Sequence, residues 1–269
     1  MIKITDNDYS LPVVEAISPH EQFTTGANKP LLVTAVDEHG SKGDYVVKFR
    51  GAERMYPEAC MRELLAAFIA LQMEITVVKP VIVNISPEFV ELLKGNDAWG
   101  LAHKSIGFNY GSEYVPGYKT ILVNEDLNNH QLPFAQQLFC FDVFIQNSDR
   151  TKEKPNMITD GNEIVIFDHE LAFGFAMDIF RNPTPWQLRD NDLEWINRHC
   201  LLPILKGREF DYAGFSDRLN NLSPEFWQAA KALIPEEWQS PQFDTIRQYL
   251  TAICEHKDSF ITELKKLML

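Results

Sequence analysis

Two runs of β-branched and apolar residues, Leu31 to Val36 (LLVTAV) and Tyr45 to Phe49 (YVVKF), flank the polar stretch DEHGSKGD, a pattern that predicts two strands joined by a hairpin loop. A sheet is expected to begin there. From Pro57 to Met73 the period changes. Met61, Leu64, Leu65, Phe68 and Ile69 recur at helical spacing behind an initial proline, which predicts a helix. Lys79 to Ser86 (KPVIVNIS) returns to a strand pattern, and Ser86 then starts a short helix that Gly95 stops. The stretch FNYGSEYVPGY shifts to glycine, proline and aromatic residues and marks an expected hinge. Beyond Pro133 the periodicity is mostly helical, in PFAQQLFCFDVFIQN, DLEWINRHCLLPIL, SPEFWQAAKALIP and one long terminal helix from Phe243 to Leu267. In that last helix Ile246, Leu250, Ile253, Phe260, Ile261, Leu264 and Leu267 form a single apolar stripe, read as a packing face. The fold class is α+β, with strands early and helices late.

The chain has 269 residues, 45% of them hydrophobic, enough to bury one large core or two modest ones. Lys and Arg number 25 against 38 Asp and Glu, and a net charge of −13 disfavours nucleic acid as a primary partner. No stretch is apolar for long enough to span a bilayer, so no membrane partner is expected. Met1 to Ser10 lacks the basic and apolar regions of a signal peptide, and a cytoplasmic location is expected. Cys60, Cys140, Cys200 and Cys254 are far apart with no CxxC pair, which reads as buried reduced thiols.

The candidate chemistry lies between Phe141 and Phe175. The apolar run FDVFI ends abruptly in Gln, Asn, Ser, Asp and Arg, a polar cluster that packing alone does not explain. Asp160-Gly161 between NMIT and NEIVIFD predicts a tight hairpin, which would bring Asn156 and Asp168 to the same end. Magnesium takes one or two such oxygen ligands from protein and completes its octahedron with phosphate and water. Asp149, just before the loop, would then stand close enough to accept a proton from an attacking hydroxyl. Arg150 could neutralise phosphate charge or hold the loop carboxylates.

Upstream, Lys48 stands inside the strand YVVKF and needs a counter-charge there. Strand alternation puts Val46 on its face, where Val46 could contact adenine while Lys48 reaches phosphates. Glu63 shares its helical face with the small residues Cys60, Ala67 and Ala70, so it can approach a strand closely and partner Lys48. Taken singly, Lys48 and Glu63 would read as a snorkelling lysine and a solvated helix glutamate. The stretch FTTGANKP, with Gly26, could be a phosphate-covering loop or an ordinary turn. His169 and Glu170 could belong to the site or pack the hairpin end.

At YVVKF with Lys48, RELLAAFIA with Glu63, FDVFIQNSDRTKEKPN with Asp149 and Asn156, and IFDHELAF with Asp168, the chain resembles the HipA-like kinase family. The resemblance implies a bilobal protein-kinase-like fold, with a small β-rich lobe over residues 1–110 and a larger helical lobe over residues 111–269. It also implies ATP with Mg2+, and transfer of the γ-phosphate to a hydroxyl of an unidentified protein, serine or threonine above all, or of a small molecule. By that resemblance Asp149 is the catalytic base, Asn156 and Asp168 are the metal ligands, Lys48 contacts the α- and β-phosphates and Glu63 is its ion-pair partner. Departures are visible after Asp168, where His169 and Glu170 stand in place of Phe-Gly, and in the loop before it. Asn156 follows Asp149 by seven positions, where the usual kinase loop has five, so the loop through Thr151 to Pro155 is extended. Two other readings keep the same fold: a nucleotide-binding pseudokinase serving as a regulatory module, and a nucleotidyl transferase that attacks the α-phosphate.

Overall fold

Among the described residues, five strands in the N-terminal part of the chain close a barrel. The computed structural model describes residues 2–23, 28–121, 127–178 and 182–269. Strands β1 (Val13–Gln22), β2 (Leu31–Val36), β3 (Lys42–Lys48), β4 (Pro80–Ile85) and β5 (Gly107–Glu113) close in the order β1-β2-β3-β5-β4. Neighbours are antiparallel except β1 and β4, which run parallel where Val13, Val14 and Glu15 face Ile82, Val83 and Asn84. Strand β1 is absent from the sequence expectations. Its pairing with β2 shifts register twice, between Ala16 and Ser18 and between Pro19 and Gln22, and such irregularities blur a period of two. Inside the barrel lie Val14, Ala16, Leu31, Val33, Ala35, Val47, Phe49, Val81, Val83 and Ile85.

The connections between strands carry three helices, α1 (Pro57–Gln72), α2 (Pro87–Leu92) and α3 (Trp99–His103). Phe89 and Val90 of α2 and Ala102 of α3 complete the barrel core. The expected hinge at FNYGSEYVPGY is instead a load-sharing part of the barrel, because its first half is β5, paired on both sides. Its glycine has a packing cause: a Cβ on Gly111 would fall 2.6 Å from Val83 Cγ2. The division expected between residues 110 and 111 therefore falls within a strand.

Among the described residues seven more α-helices follow: α4 (Gln131–Ile145), α5 (Asp190–Ile196), α6 (Leu202–Leu205), α7 (Tyr212–Leu219), α8 (Pro224–Leu233), α9 (Pro241–Glu255) and α10 (Lys257–Leu267). The fold is thus mixed, β-rich at the N-terminal side and helical at the C-terminal side. Helix α1 is buried at every position from Ala59 to Gln72, the polar Arg62, Glu63 and Gln72 included, and lies between β5 and the elements α8, α9 and Glu236–Trp238. Its residues join α4 and the C-terminal helices in one core cluster, separate from the barrel interior.

Two expected helices are broken. The terminal one stops at His256 (φ −113°, ψ 31°), whose ring lies 3.6 Å from that of Trp186, and restarts as α10. DLEWINRHCLLPIL splits into α5 and α6 because His199 is drawn out of the helix: its Nδ1 accepts the Leu201 N–H at 3.1 Å and its Nε2 lies 3.0 Å from Asp142. A small sheet, β6 (Lys119–Thr120), β7 (Met157–Thr159) and β8 (Ile164–Ile166), holds the expected hairpin, with Gly161 at φ +100° in the turn.

Candidate active site

Lys48 ends β3, opposite Tyr110 of β5, and its ammonium lies 5.8 Å from the centre of the Tyr110 ring. Val47 and Phe49 fill the barrel, so Val46 and Lys48 turn the other way. Lys48 Nζ is 3.0 Å from Glu63 Oε1 and 2.7 Å from Asp168 Oδ1. One ammonium therefore joins the barrel, α1 and the end of the β7–β8 hairpin. Burial works against its charge, but Asp168 and then Glu63 outweigh burial and hold its pKa above the usual lysine value. The carboxylates respond unequally. Burial pushes Glu63 up despite Lys48, whereas Lys48 overcomes burial at Asp168 and holds that group low. The charge of Asp168 adds to the rise at Glu63, while Lys154 helps Lys48 to hold Asp168 low.

Asn156 and Asp168 flank the open end of the hairpin. Met157 pairs with Ile166, and the Phe167 N–H donates to the Asn156 carbonyl at 3.2 Å, which fixes both residues beside each other along the chain direction. The Asn156 side chain is buried and its Nδ2 has no protein partner. Asp149 follows α4 in the loop, mostly buried, with Lys154 Nζ 3.4 Å from its Oδ2. Burial raises the Asp149 pKa, the charge of Asp168 adds to the rise, and Lys154 and Arg54 oppose it. No trio of His, Cys, Asp and Glu among the described residues forms a metal cage. One Asp and one Asn offer a carboxylate and an amide oxygen, a donor pair that suits magnesium drawing its other oxygens from phosphate and water.

Arg150 departs from the expected phosphate contact. Its side chain is fully buried and turned inward, with Nε 2.5 Å from Asp142 Oδ2 and Nη1 donating to the carbonyls of Asn156 (2.7 Å) and Pro155 (3.2 Å). A guanidinium committed to so many acceptors has no donors left for a nucleotide. Asp142, buried in the middle of the apolar run FDVFI, also accepts from Asn147 Nδ2 at 2.8 Å and faces His199 Nε2. Burial disfavours its charge, but Arg150 and His199 reverse this and keep Asp142 ionised well below the usual carboxylate range. A carboxylate inside an apolar helical run was the one sequence signal for this network. Nothing local marked His199.

His169 packs against Phe141 and abuts Arg150 at 3.4 Å. Burial, and next the Arg150 charge, hold its pKa down to about 3, so the ring is neutral. Glu170 is buried, accepts a hydrogen bond from Asn28 Nδ2 and faces Arg54 at 3.8 Å. The stretch FTTGANKP thus reaches the site at Asn28, while Gly26 lies outside the described residues.

Residues 14–260 match the family described as HipA-like kinase. The chain belongs to the HipA-like kinase family. The match runs from β1 into α10 and contains every site residue named above, which places the protein among kinases. Similar solved structures include a Helicobacter pylori proinflammatory kinase, CtkA, at 15% identity and a TM-score of 0.49, covering 96% of this chain and 98% of that one. The open conformation of CtTel1 aligns at 11% identity and TM-score 0.36 over 91% of this chain and 12% of its own. The MAP kinase LmaMPK10 from Leishmania major aligns at 10% and 0.31, over 90% of this chain and 81% of its own. No curated protein matches.

Proposed function

We propose that this HipA-like kinase uses ATP and Mg2+ to transfer the γ-phosphate to a hydroxyl, that of a protein serine or threonine in the first instance. The observation that carries the reading is the Lys48 ammonium shared between Glu63 and Asp168. A buried lysine anchored by a helix glutamate, next to a hairpin-end aspartate, is the arrangement that kinases use to seat nucleotide phosphates. Lys48 reaches the α- and β-phosphates, Glu63 holds it there, and Val46 on the same strand face lies against the adenine. Asn156 and Asp168 hold the magnesium ion, which when bound supplies positive charge to the phosphate oxygens. Arg150 has no phosphate role.

The two aspartates divide their tasks by environment. Asp168, held low by Lys48, stays anionic, while Asp149, raised by burial, binds a proton more readily than an ordinary aspartate. In the transfer the acceptor oxygen bonds to the γ-phosphorus, the bond to the β–γ bridging oxygen breaks, and the acceptor proton passes to Asp149, releasing ADP. The two separate core clusters support a bilobal reading, with the barrel as the small lobe. No described helix is long and apolar enough to cross a membrane. Free thiols at Cys60, Cys140, Cys200 and Cys254 suit the reducing cytoplasm in which ATP is abundant.

The test is incubation with Mg2+ and ATP labelled separately on the α- and γ-phosphates, using the intact protein, Asp149→Ala and Asp168→Ala. Transfer of γ-label that is lost in both variants supports the kinase. Transfer of α-label identifies a nucleotidyl transferase, and ATP binding without transfer identifies a pseudokinase.

A further inference from the structure

Asn156 and Asp168 share an unusual backbone. Both have positive φ, 48° and 60°, in the left-handed region that costs a residue with a Cβ of order 1 kcal/mol or more and persists only where neighbours enforce it. The enforcing contacts can be read on each side. At Asn156 the carbonyl accepts from Arg150 Nη1 at 2.7 Å and from the Phe167 N–H at 3.2 Å. Asp168 is therefore held on its N-terminal side through Phe167. On its C-terminal side the His169 N–H donates to Glu63 Oε1 at 3.0 Å, and the His169 ring abuts Arg150 Nη2.

The same guanidinium thus bears on both strained residues, and its own position is set by Asp142. Asp142 Oδ2 takes Nε, Oδ1 takes Nη2 at 3.3 Å, and both oxygens have further partners in Asn147 and His199. The far side of the loop is tied to the same point. Cys200 N–H donates to the Arg150 carbonyl at 3.0 Å, and Thr151 bridges to His199. The extended loop between Asp149 and Asn156 is wrapped around this buried pair.

We infer that Asp142 and Arg150 form a positioning pair that sets the metal-binding geometry of Asn156 and Asp168 without touching metal or nucleotide. The inference rests on the assignment of Asn156 and Asp168 as metal ligands. Partners of this kind orient metal ligands, and losing them costs about 10- to 100-fold in metal affinity. Arg150→Lys keeps the buried charge but puts three donors on one nitrogen where five in a planar fork are in use, so it cannot make all the contacts to Asp142, the Asn156 carbonyl and His169 together.

The experiment measures Mn2+ binding to the full-length protein saturated with a non-hydrolysable ATP analogue, by electron paramagnetic resonance of free Mn2+. The proteins are the wild type, Arg150→Lys, Asp142→Asn, Asn156→Ala and Asp168→Ala, each checked for folding by circular dichroism, with metal-free analogue affinity measured beside it. The expected result is a 10- to 100-fold weaker Mn2+ dissociation constant in Arg150→Lys with metal-free analogue affinity unchanged. Asp142→Asn, where folded, behaves alike. Wild-type Mn2+ affinity in folded Arg150→Lys, alongside weakened binding in Asn156→Ala and Asp168→Ala, overturns the inference and leaves the metal assignment standing. Unchanged Mn2+ affinity in Asn156→Ala and Asp168→Ala overturns the assignment itself. A folded Arg150→Lys that loses Mn2+ and metal-free analogue binding together has a general structural defect, and that result also overturns the inference.

Discussion

Removing either partner of the Lys48–Glu63 pair should have very different effects on stability. At 3.0 Å and an effective dielectric constant of about 20, the attraction between the two charges is on the order of 5 kcal/mol. Against it stand the desolvation of a wholly buried carboxylate, several kcal/mol, and repulsion from Asp168. The direction of the Glu63 pKa, upward, says that the opposing effects win. Glu63→Gln removes a charge that the fold disfavours and leaves Lys48 paired with Asp168, so at pH 5 it should change unfolding free energy by about 1 kcal/mol or less. Lys48→Met strips both carboxylates of their counter-charge and should cost about 3–5 kcal/mol. The pH dependence sharpens the contrast. Glu63 has a folded pKa above its unfolded value, so its favourable contribution is complete below the unfolded pKa and fades as pH rises through the folded one. Relative to wild type, Glu63→Gln should therefore gain stability as pH rises from about 4 to 8. Urea unfolding of the three proteins at pH 5 and pH 8 reads all of this. A Glu63→Gln that loses as much stability as Lys48→Met, or whose gap to wild type does not move with pH, would mean that the fold does not disfavour the Glu63 charge.

Further outcomes follow from the same structure. Asp149→Asn keeps the shape of the side chain but cannot take a proton, and it should lower kcat by about 100- to 10,000-fold while ATP binding, followed by fluorescence titration, is retained. Since burial raises the Asp149 pKa, activity should fall on the acid side at a pH above that of an ordinary aspartate, a limb read from a kcat/KM profile. Gly111→Ala drives a methyl group against Val83 between two barrel strands and should cost about 1–3 kcal/mol in thermal or urea unfolding.

The barrel strands β2, β3 and β4, helix α1 and the β7–β8 hairpin could be read from periodicity and turn residues because each is locally consistent. Lys48 and Glu63 could be paired in advance for the same reason: a lone charge in an apolar strand and a glutamate on a face of small residues each imply a close partner. What escaped depends on distant residues. Strand β1 carries two register shifts that erase its alternation, and β5 is recognisable only once Val81 and Val83 are known to need a glycine opposite them. The helix breaks at His199 and His256 come from Asp142 and Trp186, far away in sequence. Of the two roles open to Arg150, a phosphate contact or a hold on carboxylates, adjacency to Asp149 could not choose, and the carboxylate it holds lies eight positions back.

In the proposed function Asn156 and Asp168 hold one metal ion against nucleotide phosphates seated by Lys48. A crystal structure with a non-hydrolysable ATP analogue and Mn2+, examined at the manganese absorption edge, tests it most directly. An anomalous peak ligated by side-chain oxygens of both Asn156 and Asp168 is expected, with Lys48 Nζ turned from Asp168 to the α- and β-phosphates. A peak ligated by neither residue, or a nucleotide bound away from Lys48, would contradict it.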